Sequence, residues 1–407
     1  MQNQEHMYNT PEHTSSGENQ INTDPREQAL PQDSMDRSYE EGYSGGTRDI
    51  WSEGQKLQPM PKSEKSMGRL LVVIALLGVA FLAGSHFANI SSWLSGIGIA
   101  VLVIIGLSVL ASNWRVVTIP MPARTFQVQE HARLTIHNSA GRVAIRRGEE
   151  GMISVNATKR ASGIGIDPES MQVRYDQFTN ALNITTDVNW NIFQFGMRSI
   201  DFEITVPANC DIQLENGAGR VAVEGMNGNV RVRTGSGSLV VRDVEGQIAM
   251  KTGSGHIEGS HLAGRIELRT GSSRIEVQDI RGQIDLHTGS SRIEGSNLRG
   301  QVKAQTGSGR IEIRQSALTG DSLLKTGSSA IEFDGSLDPS SSTKMKTGSG
   351  GIRLSLPASA TFSLDAKTGS GGVHNEFGSK DRGNGLRAQL KLRTGSGGIH
   401  ITRNGTY

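Results

Sequence analysis

The stretch Ile266-Glu267-Leu268-Arg269-Thr270-Gly271-Ser272-Ser273-Arg274-Ile275-Glu276-Val277-Gln278-Asp279-Ile280-Arg281-Gly282 holds the pattern from which the fold of this chain can be read. Apolar and polar residues alternate, so Ile266, Leu268, Ile275 and Val277 fall on one side of an extended chain while Glu267, Arg269, Arg274 and Glu276 fall on the other. Two short strands and two glycine-containing corners make one coil. The coil then returns, because the Thr of Thr-Gly-Ser stands at 234, 252, 270, 288, 306, 326, 347, 368 and 394. A fixed short period signals stacked units, each burying its apolar face against its neighbours. The pattern predicts an all-β fold, a β-solenoid of about 18–21-residue rungs. Nine or ten rungs at about 4.8 Å each would reach on the order of 45 Å.

The parity of the alternation turns Thr270 and its counterparts inward, which predicts a buried ladder of hydroxyls running from rung to rung. Glycine at the corner is expected to supply a positive φ without a Cβ penalty. No aromatic residue occurs between Glu203 and Glu332, and the chain of 407 residues has only 10 Phe, 5 Tyr and 4 Trp. The buried slot is therefore narrow. Where the period loosens, Phe333, Phe362 and Phe377 appear and point to a wider or capped far end. Val241, Gly259, Val277, Gly295 and Ile313 alternate in size at one inward position, and a longer neighbour such as Leu262 or Leu298 is expected to fill the space each Gly leaves. The single Cys excludes an internal disulfide and a Cys-based zinc site.

Outward from the repeat the composition changes. Residues 1–68 are polar, acidic and without period, and read as a disordered tail. Between Arg69 and Arg115 no charged residue occurs, enough for a transmembrane helical hairpin at 69–113 with spans 70–87 and 93–111. Lys62, Lys65 and Arg69 precede it and Arg115 and Arg124 follow it, so the positive-inside rule makes this a multi-pass cell-membrane protein with its solenoid in the cytoplasm, an extracellular solenoid being the alternative. Residues 116–210 read as a β-rich cap and 211–405 as the repetitive solenoid. Neither the net charge of +2 nor its distribution suggests nucleic-acid binding.

Phe202-Glu203-Ile204-Thr205-Val206-Pro207, then Ile212-Gln213-Leu214, the Gly-Arg-Val and Thr-Gly-Ser-Gly repeats, and Leu354-Ser355-Leu356-Pro357 with Phe362-Ser363-Leu364 resemble the bacterial putative-adhesin domain of unknown function over roughly residues 120 to 405. The resemblance implies a β-solenoid tethered to a membrane segment and transfers no catalytic residue.

Chemistry is sparse. The Thr-Gly-Ser loops lack the Gly-Lys-Ser/Thr and helix of a phosphate-binding loop, and the corners lack the Asp of calcium-binding solenoids, so neither cofactor nor metal is expected. Asp243, His261, Asp279 and Asn297 occupy one position in successive rungs; a His between carboxylates could carry protons or weakly hold a metal, while Asp and Asn also favour turns. Glu258, Glu276, Glu294 and Glu312, flanked by Arg274, Arg292 and Arg310, form a charged face suited to a glycan, an envelope component or another solenoid. The leading reading is a non-enzymatic, membrane-anchored, adhesin-like scaffold or interaction module. One alternative is self-assembly through the last rung, Gly398-Ile399-His400-Ile401-Thr402, read as an uncapped end. A glycan-active β-helix enzyme is the other.

Overall fold

The computed structural model describes residues 114–404, apart from 130, 165–166 and 189–194, together with the helical residues 100, 101, 103, 104, 106 and 108. The tail at 1–68 and the first span at 70–87 lie outside the described residues, and only those six helical positions of the second span fall within them. Among the described residues no helix is long and apolar enough to cross a membrane.

The chain enters through β1 (Arg115–Pro120), β2 (Arg124–Gln127), β3 (Ala132–Ala140), β4 (Val143–Arg147), β5 (Met152–Ile164), β6 (Met171–Phe178), β7 (Ala181–Val188) and β8 (Phe195–Val206). The repeats follow as β9 (Cys210–Ala218), β10 (Val221–Asn227), β11 (Val230–Ser236), β12 (Leu239–Thr252), β13 (Ile257–Thr270), β14 (Ile275–Thr288), β15 (Ile293–Thr306), β16 (Ile311–Leu318), β17 (Asp321–Thr326), β18 (Ile331–Leu337), β19 (Ser342–Thr347) and β20 (Ile352–Pro357). Last come β21 (Phe362–Thr368), β22 (Val373–Asn375), β23 (Asp381–Arg382), β24 (Ala388–Thr394) and β25 (Ile399–Asn404).

Two parallel sheets stack back to back around the apolar slot. The first runs β8–β4–β10–β12–β13–β14–β15–β16–β18–β20–β25–β22. The second runs β7–β3–β9–β11–β12–β13–β14–β15–β17–β19–β24–β21. Each sequence has twelve strands, two or three levels more than the repeat count predicts, on the order of 50 Å from first to last at about 4.8 Å per step.

The coil has three bends rather than two. Ile257–Thr270 runs as one strand through His261, with φ 53°, and Gly264, with φ 117°, before the Thr-Gly-Ser loop closes the turn. Ile257, Leu262, Ile266, Leu268 and Thr270 are buried, and each meets its equivalent 18 residues on: Ile257 beside Ile275, Leu262 beside Ile280, Ile266 beside Ile284. β-Branched and Leu side chains stacked on themselves fill a slot of fixed width without rings. A Cβ at Gly259 would lie 3.2 Å from Leu262 Cδ1, and one at Gly295 would lie 2.8 Å from Leu298 Cδ1. The longer Leu thus occupies the space that each Gly leaves, as the size alternation implies.

Glycine at the Thr-Gly-Ser corner has a different cause from the expected positive φ. Gly271 has no such φ; a Cβ there would stand 2.3 Å from the carbonyl oxygen of Gly253 on the next level, so close stacking of corners demands glycine. The Thr ladder is buried as expected, but its hydroxyls bond to backbone rather than to one another. Thr270, Thr288 and Thr306 each donate to the preceding level's corner carbonyl, of Gly255, Ser273 and Ser291, at 2.9 Å. In the first levels Asn138 and Asn216 take the same position and bond to each other at 3.1 Å. Thr234, next to Asn216, has a hydroxyl without a partner among the described residues.

At both ends the spatial order departs from the chain order. β3–β4 lies between β9–β10 and β7–β8, and β7 and β8 are covered in turn by antiparallel β6 and β5. At the far end β25 lies between β20 and β22, and β24 between β19 and β21. The rung read as an uncapped end is therefore internal. Phe362 and Phe377 meet edge to face at 5.2 Å there, Arg382 and Arg403 lie over the Phe377 ring, and β23 pairs with the outer edge of β21.

Candidate binding face

Asp243, His261, Asp279 and Asn297 do stack. All four have φ between 51° and 55°, and Gln315, which the sequence reading missed, continues the column at 51°. Asn and Asp tolerate the left-handed conformation better than other non-Gly residues, so the backbone bend accounts for most of this column. His261 Nδ1 is 3.4 Å from Asp243 Oδ1 and its Nε2 is 3.5 Å from Asp279 Oδ2. Asn297 donates to Asp279 and is the main cause that holds this carboxyl below the ordinary Asp range. The His ring thus links two levels at an exposed corner. Among the described residues no group of three or more His, Cys, Asp or Glu is arranged to hold a metal ion.

The anticipated charged face lies on the outer side of the first sheet. Glu258, Glu276, Glu294, Glu312 and Glu332 are in register on consecutive levels. Their charges are taken up locally. Arg292 reaches Glu294 at 2.7 Å, Arg274 lies 3.7 Å from Glu294 and 3.9 Å from Glu276, and Arg310 lies 3.9 Å from Glu332. Arg242 pairs with Glu258 and Arg314 with Glu312. Each exposed pair contributes less than about 1 kcal/mol, but together they leave this face little free charge to offer a partner.

The second sheet carries the opposite arrangement, which the sequence reading did not single out. One outer column runs Glu215, Arg233, Lys251, Arg269, His287, Gln305, Lys325, Lys346, Arg393, Lys367, each in register with the next. The column beside it runs Gln213, Arg231, Ala249, Glu267, Asp285, Lys303, Leu323, Lys344, Lys391, Asp365. Arg133, Asp211, Arg265 and Asp321 add to its margin. Lys and Arg outnumber Asp and Glu on this face by thirteen to six. The signal was legible: the residue before Thr-Gly-Ser is Lys, Arg or His at every repeat except Gln305.

Its carboxylates other than that of Asp321 are engaged. Lys251 reaches Glu267 at 3.0 Å and Arg269 reaches it at 2.8 Å; the Lys251 hydrogen bond is the chief cause that lowers the Glu267 pKa. Arg393 pairs with Asp365 and holds its carboxyl below the ordinary range, aided by Lys367 and Lys391. Lys303, Lys325, Lys344, Lys346, Lys367 and Lys391 are exposed, and among the described residues none has a carboxylate within ion-pair distance. Near the other end, Arg133, Arg231 and Arg265 line a groove of about 420 Å³, also without an ion pair among the described residues. The Asp211 carboxylate beside them is held by Asn229 N and Nδ2 at 2.8 and 3.1 Å.

The model of the Toastrack DUF4097 family matches residues 131–402. Two solved structures are similar. A putative cell adhesion protein from Clostridium sporogenes ATCC 15579 is 12% identical over 70% of this chain and 99% of its own, with a TM-score of 0.22. A putative adhesin from Bacteroides fragilis NCTC 9343 is 14% identical over 70% of this chain and 97% of its own, with a TM-score of 0.26. No curated protein matches.

Proposed function

Since the chain belongs to the Toastrack DUF4097 family, with residues 131–402 inside the family pattern, we propose that it is a non-enzymatic, adhesin-like binding module anchored in the cell membrane by the hairpin read at 69–113. The solenoid stands on the cytoplasmic side, following the basic flanks Lys62, Lys65, Arg69, Arg115 and Arg124. The observation that carries a binding role is the unequal use of charge on the two sheets. One spends its Glu and Arg on each other, and the other keeps a lattice of cations free. Like charges adjacent on neighbouring strands destabilise a sheet slightly, and an anionic partner removes that cost.

Anchoring and sidedness are tested together. Membranes washed with alkaline carbonate should retain the full chain; release into the wash would refute the hairpin anchor. For sidedness, Cys210 is buried and can be replaced by Ala. A reporter thiol belongs at an exposed corner such as Ser272, whereas Ser341 in the loop before β19 is buried and bonds to the Asp338 carbonyl. A Ser272→Cys chain should react with an impermeant thiol reagent only after lysis. Reaction on intact cells would put the solenoid outside and redirect the search to envelope ligands.

A further inference from the structure

The cations of the second sheet form a two-dimensional lattice in which, among the described residues, the lysines past β15 have no ion pair and Arg393 holds Asp365. Lys325 lies beside Lys346, Lys346 beside Arg393 and Arg393 beside Lys367, while Lys344 lies beside Lys391 one column away. Neighbours are about 4.8 Å apart along the stack and about 7 Å apart across a strand. Such a lattice matches a planar array of monovalent anions; a single linear polymer would engage one column and leave the other unpaired. Lysine predominates in the far half, and its ammonium is a point charge that needs no fixed acceptor geometry. Toward β3, Arg133, Arg231 and Arg265, which have no ion pair among the described residues, offer forks that take phosphate oxygens in pairs.

We infer that this face docks on the anionic lipid surface of the membrane, so that the solenoid lies along the leaflet with its second sheet against phospholipid headgroups. The inference rests on the anchoring and cytoplasmic placement proposed above: a tether keeps the face at high effective concentration near the bilayer, and the cytoplasmic leaflet is the anionic one. The Glu and Arg face of the first sheet, its charges paired among themselves, then points away from the lipid.

The test uses the full chain reconstituted in nanodiscs of phosphatidylcholine alone or with a third of phosphatidylglycerol. Lysine acetylation by an amine-reactive ester is read by mass spectrometry. With phosphatidylglycerol at low salt, Lys303, Lys325, Lys344, Lys346 and Lys391 should be acetylated about fivefold more slowly, while Lys380, exposed outside the lattice, should not change. The protection should vanish in concentrated salt, where the screening length falls to about 3 Å. Equal rates in the two lipids would overturn the inference, as would protection by added duplex DNA without protection by phosphatidylglycerol. The triple variant Lys344→Gln, Lys346→Gln, Lys391→Gln changes only exposed side chains, and should abolish the protection at Lys303 and Lys325. A chain that does not enter the discs refutes the anchor instead; salt-sensitive pelleting with preformed phosphatidylglycerol vesicles then supports the face, and its failure there refutes the face as well.

Discussion

The middle of the solenoid and its far end are built from the same kind of strand but held by different means. From β12 to β15 the order in space is the order in the chain, and every inward residue meets its own counterpart 18 positions away. From β19 to β25 the order in space is β19–β20, then β24–β25, then β21–β22. Asp334 and Asn404, 70 residues apart, hydrogen-bond there, and Arg403 N donates to Glu376 Oε2 at 2.8 Å across 27 residues. A repeat can extend a stack but cannot stop it, since each level presents an open edge to the next. Stopping it takes side chains that the repeat excludes, and a change of order that ties distant segments together.

This contrast can be broken from the end or from the middle. Phe362→Ala should have the largest effect, about 3–5 kcal/mol, because a fully buried ring packed on Phe377 is lost. Hydrogen exchange should show the loss confined to β21–β25, with β13 and β14 still protected; uniform loss would mean that the end is not a separate unit. Gly271→Ala should cost roughly 2–3 kcal/mol, since the new Cβ meets backbone that can move only by parting two levels. Here the whole stack should melt earlier in calorimetry. Thr288→Val keeps the shape but removes a buried donor to the Ser273 carbonyl, for about 1–2 kcal/mol by denaturant titration.

Acid should have the mildest effect and sharpen the contrast further. Free carboxyls titrate near pH 4, and those of Glu267 and Asp365 are held lower in the folded chain. Their contribution is complete above the unfolded value and is lost as pH falls through the folded one. The melting temperature should stay level from neutral pH to about 5 and drop below about 4. Protonating Asp365 leaves Arg393 without its carboxylate and removes the negative charge near Lys367 and Lys391, so circular dichroism and exchange should report the far end loosening first.

What was legible in the sequence is what repeats. The period of 18, the inward Thr and the large and small alternation at Gly259 and Gly295 each recur enough to be read as geometry. The third bend was legible in part: Asp243, Asp279 and Asn297 are residues that favour turns, but the apolar and polar alternation does not itself mark the left-handed conformation that His261 shares with them. The internal place of Ile399–Asn404 was not legible either: β25 carries the same strand pattern as β20 and β22, and identical edges do not reveal which of them pair. The cationic face was legible in part. A basic residue before each Thr-Gly-Ser is plain, but only register shows that Lys344 and Lys391 are neighbours and that no acid stands between them.

The place of β24–β25 also sets a timetable for synthesis. Translation delivers β21–β22 before the pair of strands that separates it from β19–β20 in the finished molecule. At that moment β19–β20 has a free edge with no proper occupant, and β21–β22 either waits unpaired or lodges on it provisionally and is displaced one step outward. Completion of this end of the solenoid is therefore an insertion rather than an addition, and a chain truncated between Asn375 and Ala388 would carry a solenoid with an exposed, pairing-competent edge.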